Sequence, residues 1–164
     1  MVRPNRLFLL AAMLSGSVAT ASVSANGGDY WQALQWQQRP LVLVDGGDGR
    51  AAAWRERLRA DRCALDERRI HWLVVRPDGS VWRRIDGGRS AGFERSRLDP
   101  VTAADVQRRV DWQPGADSRL WLFGLDGREK YAGRPETLDV IWSRIDAMPM
   151  RRAEMAREPD DCAP

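Results

Sequence analysis

Apolar positions along this chain alternate between short unbroken runs and stripes spaced three and four apart, the pattern of strands and helices taking turns. Leu41-Val42-Leu43-Val44, started by Pro40, is apolar without interruption, which suits a strand buried on both faces. Ile70-His71-Trp72-Leu73-Val74-Val75 is a second such run. Arg76-Pro77-Asp78-Gly79 turns it back into Val81-Trp82-Arg83-Arg84-Ile85, because Pro and Gly suit the backbone angles of a tight turn. That hairpin predicts an added edge strand. Leu120-Trp121-Leu122-Phe123, the turn Leu125-Asp126-Gly127-Arg128 and Glu129-Lys130-Tyr131-Ala132 predict a second hairpin.

Helical spacing fills the gaps. Residues 26–39 carry Tyr30, Trp31, Leu34 and Trp36, a short amphipathic lead-in whose aromatic rings cap the domain edge. After the flexible loop Asp45-Gly46-Gly47-Asp48-Gly49, residues 51–60 place Trp54 and Leu58 on one stripe. Residues 86–100, rich in Gly, Ser and Arg without apolar period, read as an exposed loop. Thr102, with Asp105 three residues on, offers a cap for a helix through Val110 that turns Val106 and Val110 inward. Leu138, Ile141, Trp142 and Ile145 form the strongest stripe, and Pro149 is expected to stop that helix. The order strand, helix, strand, helix, strand, strand, helix predicts an α/β fold: a central mixed sheet with an added hairpin strand and helices on both faces.

The N-terminus sets the compartment. Arg3 and Arg6 precede the apolar stretch Leu7-Phe8-Leu9-Leu10-Ala11-Ala12-Met13-Leu14, which is too short to span a bilayer, and small residues follow. Residues 1–25 therefore read as a secretory signal peptide cleaved after Ala21 or Ala25, leaving one domain over 26–155 and a tail over 156–164. The expected product is periplasmic or secreted, with no membrane span after processing. Removing Arg3 and Arg6 from 26 basic residues set against 23 acidic ones leaves a balance of +1, which argues against a nucleic-acid partner. A single Lys, Lys130, stands among the basic residues, and most of the arginines read as solvated surface.

The most distinctive stretch is Ile145-Asp146-Ala147-Met148-Pro149-Met150-Arg151-Arg152, followed by Glu154 and Met155. Together with Arg108-Arg109-Val110, leading through Pro114 into Leu120-Trp121-Leu122-Phe123-Gly124-Leu125-Asp126-Gly127, it resembles the bacterial domain-of-unknown-function family numbered 4174. The resemblance covers roughly residues 30 to 155. It implies a thioredoxin-like three-layer sandwich, and it brings neither an assigned activity nor a catalytic residue. Met148 and Met150 straddle Pro149, and Arg151 and Arg152 can lie near the negative end of the helix dipole. That corner reads either as a fixed helix terminus packed on the sheet or as a Met-Arg docking surface.

The chemistry such a fold usually carries is missing from the sequence. A thioredoxin-like thiolate sits where the first central strand gives way to its helix, and here that place holds Asp45-Gly46-Gly47-Asp48-Gly49-Arg50, without sulfur. Pro114 lies several residues ahead of Leu120, not adjoining the strand as a cis-proline would. The Asp45 and Asp48 carboxylates would repel a phosphate, and the loop lacks the repeated ligands of a calcium site, so turn chemistry is the reading for it. His71, the one histidine, sits inside an apolar run and reads as a satisfied core or edge residue. No catalytic residue, cofactor or metal site is expected.

Cys63 and Cys162 are too far apart in sequence for a redox or zinc motif, and they either pair in an oxidising compartment or stay as two thiols. Closing that loop would stabilise by roughly 4–5 kcal/mol in the chain-entropy model. The implied fold favours the bridge, since it puts the helix after the first strand and the closing helix on one sheet face, running parallel, with Cys63 just after the first and Cys162 on the tail beyond the second, where residues 149–161 can reach back. Eight tryptophans exceed what one small core needs. Trp72, Trp121 and Trp142 lie on buried patterns; Trp31, Trp36, Trp82 and Trp112 are less committed. A partner surface is expected from Trp31, Trp36, Trp82, Arg83, Arg84, Met150, Arg151 and Arg152, with Arg39 beside them. Two readings stay open: a non-catalytic module binding a protein or cell-envelope component, and an enzyme or redox accessory whose site is assembled from scattered residues. A deep pocket collecting Asp45, Asp48 or His71 would favour the second; a filled loop and an exposed aromatic patch would favour the first.

Overall fold

The computed structural model describes residues 27–84 and 95–157. The expected signal segment, Ile85, the first part of the expected loop and Cys162 with its flanking tail lie outside the described residues. Within them the order is α1 (Gly27–Leu34), β1 (Arg39–Val44), α2 (Arg50–Ala60), α3 (Arg62–Glu67), β2 (Ile70–Val75), β3 (Val81–Arg84), β4 (Arg95–Arg97), α4 (Pro100–Arg109), β5 (Arg119–Phe123), β6 (Glu129–Gly133), α5 (Asp139–Asp146) and α6 (Pro149–Met155).

The strands form one mixed sheet in the order β4-β3-β2-β1-β5-β6. β1 and β2 run parallel, joined by the α2–α3 crossover, and every other pairing is antiparallel. Strand alternation divides the apolar residues of β1 between two layers. Leu41 and Leu43 face Trp54 and Leu58 of α2, Leu65 of α3, and the stripe made by Leu138 at the cap of α5 with Ile141, Trp142 and Ile145 within it. Val42 and Val44 face Trp31 and Leu34 of α1 and Ala103 and Val106 of α4. Helices therefore cover both faces of an α/β sandwich, and α2 shares its face with α5, as the family resemblance implies. The turn after β2 is also as expected: Gly79, at φ 77°, donates to the Arg76 carbonyl at 2.9 Å, and the Asp78 carboxylate accepts from the Ser80 amide.

Three expectations fail, each for a local reason. The segment read as a loop contains β4, whose Arg-Ser-Arg pairs with β3, so β4 and not β3 is the sheet edge. Its three residues have no apolar period because backbone pairing alone makes the strand. The cap of α4 is Asp99, not Thr102: its carboxylate accepts from the Val101 and Thr102 amides at 3.0 Å, with Pro100 at the first helical position and Thr102 buried. Pro149 does not simply end the chain's last helix. α5 has already stopped at Asp146, and Pro149 opens α6, where its missing N–H costs nothing and its fixed φ is already helical.

Candidate functional site

The loop after β1, where a thioredoxin-like thiolate would sit, is closed on itself. The Asp45 carboxylate accepts from the Gly47 amide at 2.9 Å and is paired with the Arg55 guanidinium of α2. Asp48 accepts the Ser118 hydroxyl at 2.5 Å and the Arg50 amide at 3.2 Å, and the Ser118 oxygen in turn accepts the Gly46 amide at 2.9 Å. Donation from Ser118 holds the Asp48 carboxyl below the ordinary carboxylate range. The loop read as flexible is thus pinned to the segment that enters β5. Gly46 makes that approach possible: a β-carbon there would lie 2.4 Å from the Ala116 carbonyl oxygen and 2.6 Å from the Ser118 nitrogen. Gly46→Ala is expected to force the two backbones apart and destabilise by about 1–3 kcal/mol, the range for overpacking, read by urea unfolding; an unchanged midpoint would contradict the packing.

At the other end of β1 a groove of about 510 Å³ opens between Trp36, the Gly124–Asp126 turn and the Ala147–Met150 corner. Trp36 is 55% exposed and Met150 46%. The Trp36 backbone is left-handed, at φ 64°, and its amide donates to the Leu125 carbonyl at 2.7 Å, so the ring is presented from a fixed turn. The β5–β6 register slips between Leu122 and Phe123, and Lys130 reaches Asp126 at 2.8 Å. Burial raises the Asp126 carboxyl, but the Lys130 hydrogen bond, the Arg128 amide and both cations outweigh it and hold the group below its usual range. Arg144 donates to the Lys130 carbonyl at 3.1 Å and lies over the Tyr131 ring. The groove is consequently apolar along its length, with cations along one side.

Buried charge holds this corner in place. Arg39, 1% exposed, donates to both Glu154 oxygens at 3.1 and 3.2 Å and to the Arg68 carbonyl at 2.9 Å. Arg151, 4% exposed, pairs with Glu67, Asp146 and Glu154 and donates to the Glu67 carbonyl at 3.0 Å. Arg68 bridges Glu67 and Asp146 and lies over the Trp142 ring. Three guanidiniums and three carboxylates thus tie β1, the end of α3, the end of α5 and α6 together.

The residues expected to form one partner surface are therefore divided. Trp36, Met150 and the exposed Arg152 lie at or beside the groove corner. Trp82, Arg83 and Arg84 lie on β3, across the sheet, where Arg83 donates to Ser96 and Arg84 pairs with Asp66. Trp31 and Arg151 are not surface residues: Trp31 is buried against Phe123 with Arg109 over its ring, and Arg151 belongs to the ion network. Neither α1 packing nor pairing across four elements is visible in a linear pattern. His71 is a satisfied core residue, as the sequence suggests. Tyr30 Oη lies 2.6 Å from its Nε2 and Gln38 Oε1 lies 2.8 Å from its Nδ1, an arrangement that suits the neutral ring with Nδ1 donating and Nε2 accepting. Burial, with the charge of Arg83 added, pushes its pKa down to about 4, while burial pushes Tyr30 up to about 12. Cys63 lies in α3, and its expected partner Cys162 is outside the described residues.

Comparison with known proteins adds a family and little else. Residues 31–154 match the model of the family described as domain of unknown function DUF4174. Over 107 residues, 65% of this chain, the sequence is 29% identical to the general transcription factor 3C polypeptide 1 of Mus musculus. The match spans 5% of the length of that protein. No solved structure matches. Among the described residues, no helix is long and apolar enough to cross a membrane.

Proposed function

The chain belongs to the family described as domain of unknown function DUF4174, and from that premise we propose that it is an exported, thioredoxin-like module that works by binding a partner protein of the cell envelope, not by exchanging disulfides. The β2-β1-β5-β6 portion of the sheet, with β1 and β2 parallel and α5 closing the fold, supports the thioredoxin-like part of the reading. A contrast between the two ends of β1 supports the rest. Where a dithiol would sit, Asp45 and Asp48 are taken up by Arg55 and Ser118. At the far end an apolar groove stays open.

Trp36 is the observation that carries the reading. A Trp held at positive φ beside an exposed Met gives up backbone comfort and ring burial together, and such cost persists where a contact recovers it. The test is a photo-crosslinking residue placed in the mature chain at Met150, with Val101 of α4, also exposed, as control site. One discrete envelope-protein adduct is expected from Met150 and none from Val101. Trp36→Gly, which accepts a positive φ without strain, should abolish the adduct and leave the unfolding midpoint in place. The same adduct from Val101, or its survival in W36G, would overturn the reading.

Export carries its own test. Residues 1–30 fused to alkaline phosphatase should give active, processed enzyme cleaved after Ala21 or Ala25, and inactive fusion would refute secretion. A bridge between Cys63 and Cys162 belongs to the same proposal: the exported chain should resist thiol labelling until reduced, and labelling without reductant would exclude the bridge.

A further inference from the structure

We propose that the β3–β4 edge, remote from the groove, binds a phosphate-bearing ligand through Arg76, Arg95 and Arg97 grouped about the Trp82 ring. Trp82 lies opposite Arg97 and Arg84 opposite Arg95 in the β3–β4 ladder, so strand alternation puts all four on one face of the sheet. Trp82 also lies opposite Val74, which packs in the α2 and α5 layer, so this is the α2 side. The Arg76 guanidinium stands 4.6 Å from the Trp82 ring centroid. Trp82 Nε1 donates to Ser80 Oγ at 3.0 Å, and that hydroxyl donates to Asp78 at 2.7 Å, which fixes the ring.

Among the described residues, the charge around this ring is not balanced. Arg55 is paired with Asp45, Arg59 with Glu56 and Arg84 with Asp66. Arg95 and Arg97 are exposed and form no ion pair among the described residues. Asp78 is the carboxylate that senses Arg97 and Arg76, and its oxygen is already committed to the Ser80 hydroxyl and amide, which are the main cause of its lowered pKa. Arg95 has its own pKa lowered, by burial first and then by the charges of Arg59, Arg76 and Arg55. Arg95, which feels the charge of Arg76, and Arg97 across from Trp82 thus leave a net positive field on this face that favours an anion. A phosphate group offers several acceptor oxygens to planar guanidinium forks and meets that field, while a half-buried Trp ring supplies an apolar wall beside it.

The experiment uses the mature chain at about 0.15 M salt, where screening leaves only close contacts. One arm titrates sodium tripolyphosphate by calorimetry. The other measures cosedimentation with phosphatidylcholine vesicles, with and without phosphatidic acid. Saturable binding in at least one arm is expected: in the first it identifies a free phosphate compound, in the second alone a lipid headgroup. R95Q and R97Q should each weaken it about tenfold, the value of one charge-assisted contact, and the pair together about a hundredfold. R152Q, an exposed arginine at the opposite corner, should bind like the unaltered chain. Both positions on β4 are exposed, so the variants should not lower the unfolding midpoint, which is measured alongside. No saturable binding in either arm, or full binding by the double variant, overturns the proposal.

Discussion

Arg151→Met is expected to lower the unfolding free energy by about 3–5 kcal/mol, the cost of removing one partner from a buried ion network. The methionine stem replaces most of the lost volume, so the loss comes from charge and not from a cavity. Glu67, Asp146 and Glu154 all face Arg151, and Glu67 also gives up its carbonyl to it. Arg68 and Arg39 remain to neutralise three carboxylates, and neither reaches all of them. Arg151→Lys restores the charge but not the fork that meets carbonyl and carboxylates together, so it should fall between the two. Arg152→Ala, one residue on and exposed, should change stability by less than about 0.5 kcal/mol. Urea unfolding of the four proteins decides it. If R151M and R152A unfold at the same midpoint, the network does not hold the corner.

The same network shows how far the sequence could be read. β1, β2 and β5 are legible because unbroken apolar runs are what a strand covered on both faces requires, and the α5 stripe is legible because its four buried positions recur at helical spacing. α6 is hidden behind Pro149, since a proline that ends one helix and a proline that begins another look alike in a linear pattern. β4 is hidden because an edge strand of three polar residues is made by its neighbour's backbone. The Arg-Arg-x-Glu of the C-terminal signature was visible, but its meaning was not: Glu154 finds Arg39, and Arg151 finds Glu67, across more than half the domain. Side-chain pairing between elements leaves no period to detect.

Exposure of the aromatic rings was the least legible property. Trp31 and Trp36 lie five residues apart on one amphipathic segment, and nothing local says that the first is buried against Phe123 and the second stands in solvent. The difference comes from the chain turning at Trp36 through a left-handed residue anchored on Leu125. That turn joins the lead-in helix to the groove. A groove walled by the Met148–Met150 corner and a turn from β5–β6 therefore depends on contacts that only folding creates.

Stability should fall by about 3 kcal/mol between pH 7 and pH 4 through His71 alone. In the unfolded chain the imidazole takes a proton below about 6.5, whereas in the fold it stays neutral until about 4, so the unfolded state binds more protons across that window. The unfolding free energy therefore rises with pH from 4 to 6.5 and is flat above it on this account. The groups facing the ring reinforce the sign. Tyr30 donates to Nε2, which a protonated ring could not accept, and Arg83 adds a repelling charge. Tyr30 works oppositely at the alkaline end, where a phenol held to about 12 makes the fold lose stability as pH rises past 10. Carboxylates also titrate on the acid side, so the measurement is a difference: urea unfolding of the unaltered chain and of His71→Gln at pH 7, 6, 5 and 4. Gln can still accept from Tyr30 and donate to Gln38 but cannot take up a proton. The gap between the two curves should narrow steadily as pH falls, and a gap independent of pH would show that the imidazole is not kept neutral by the fold.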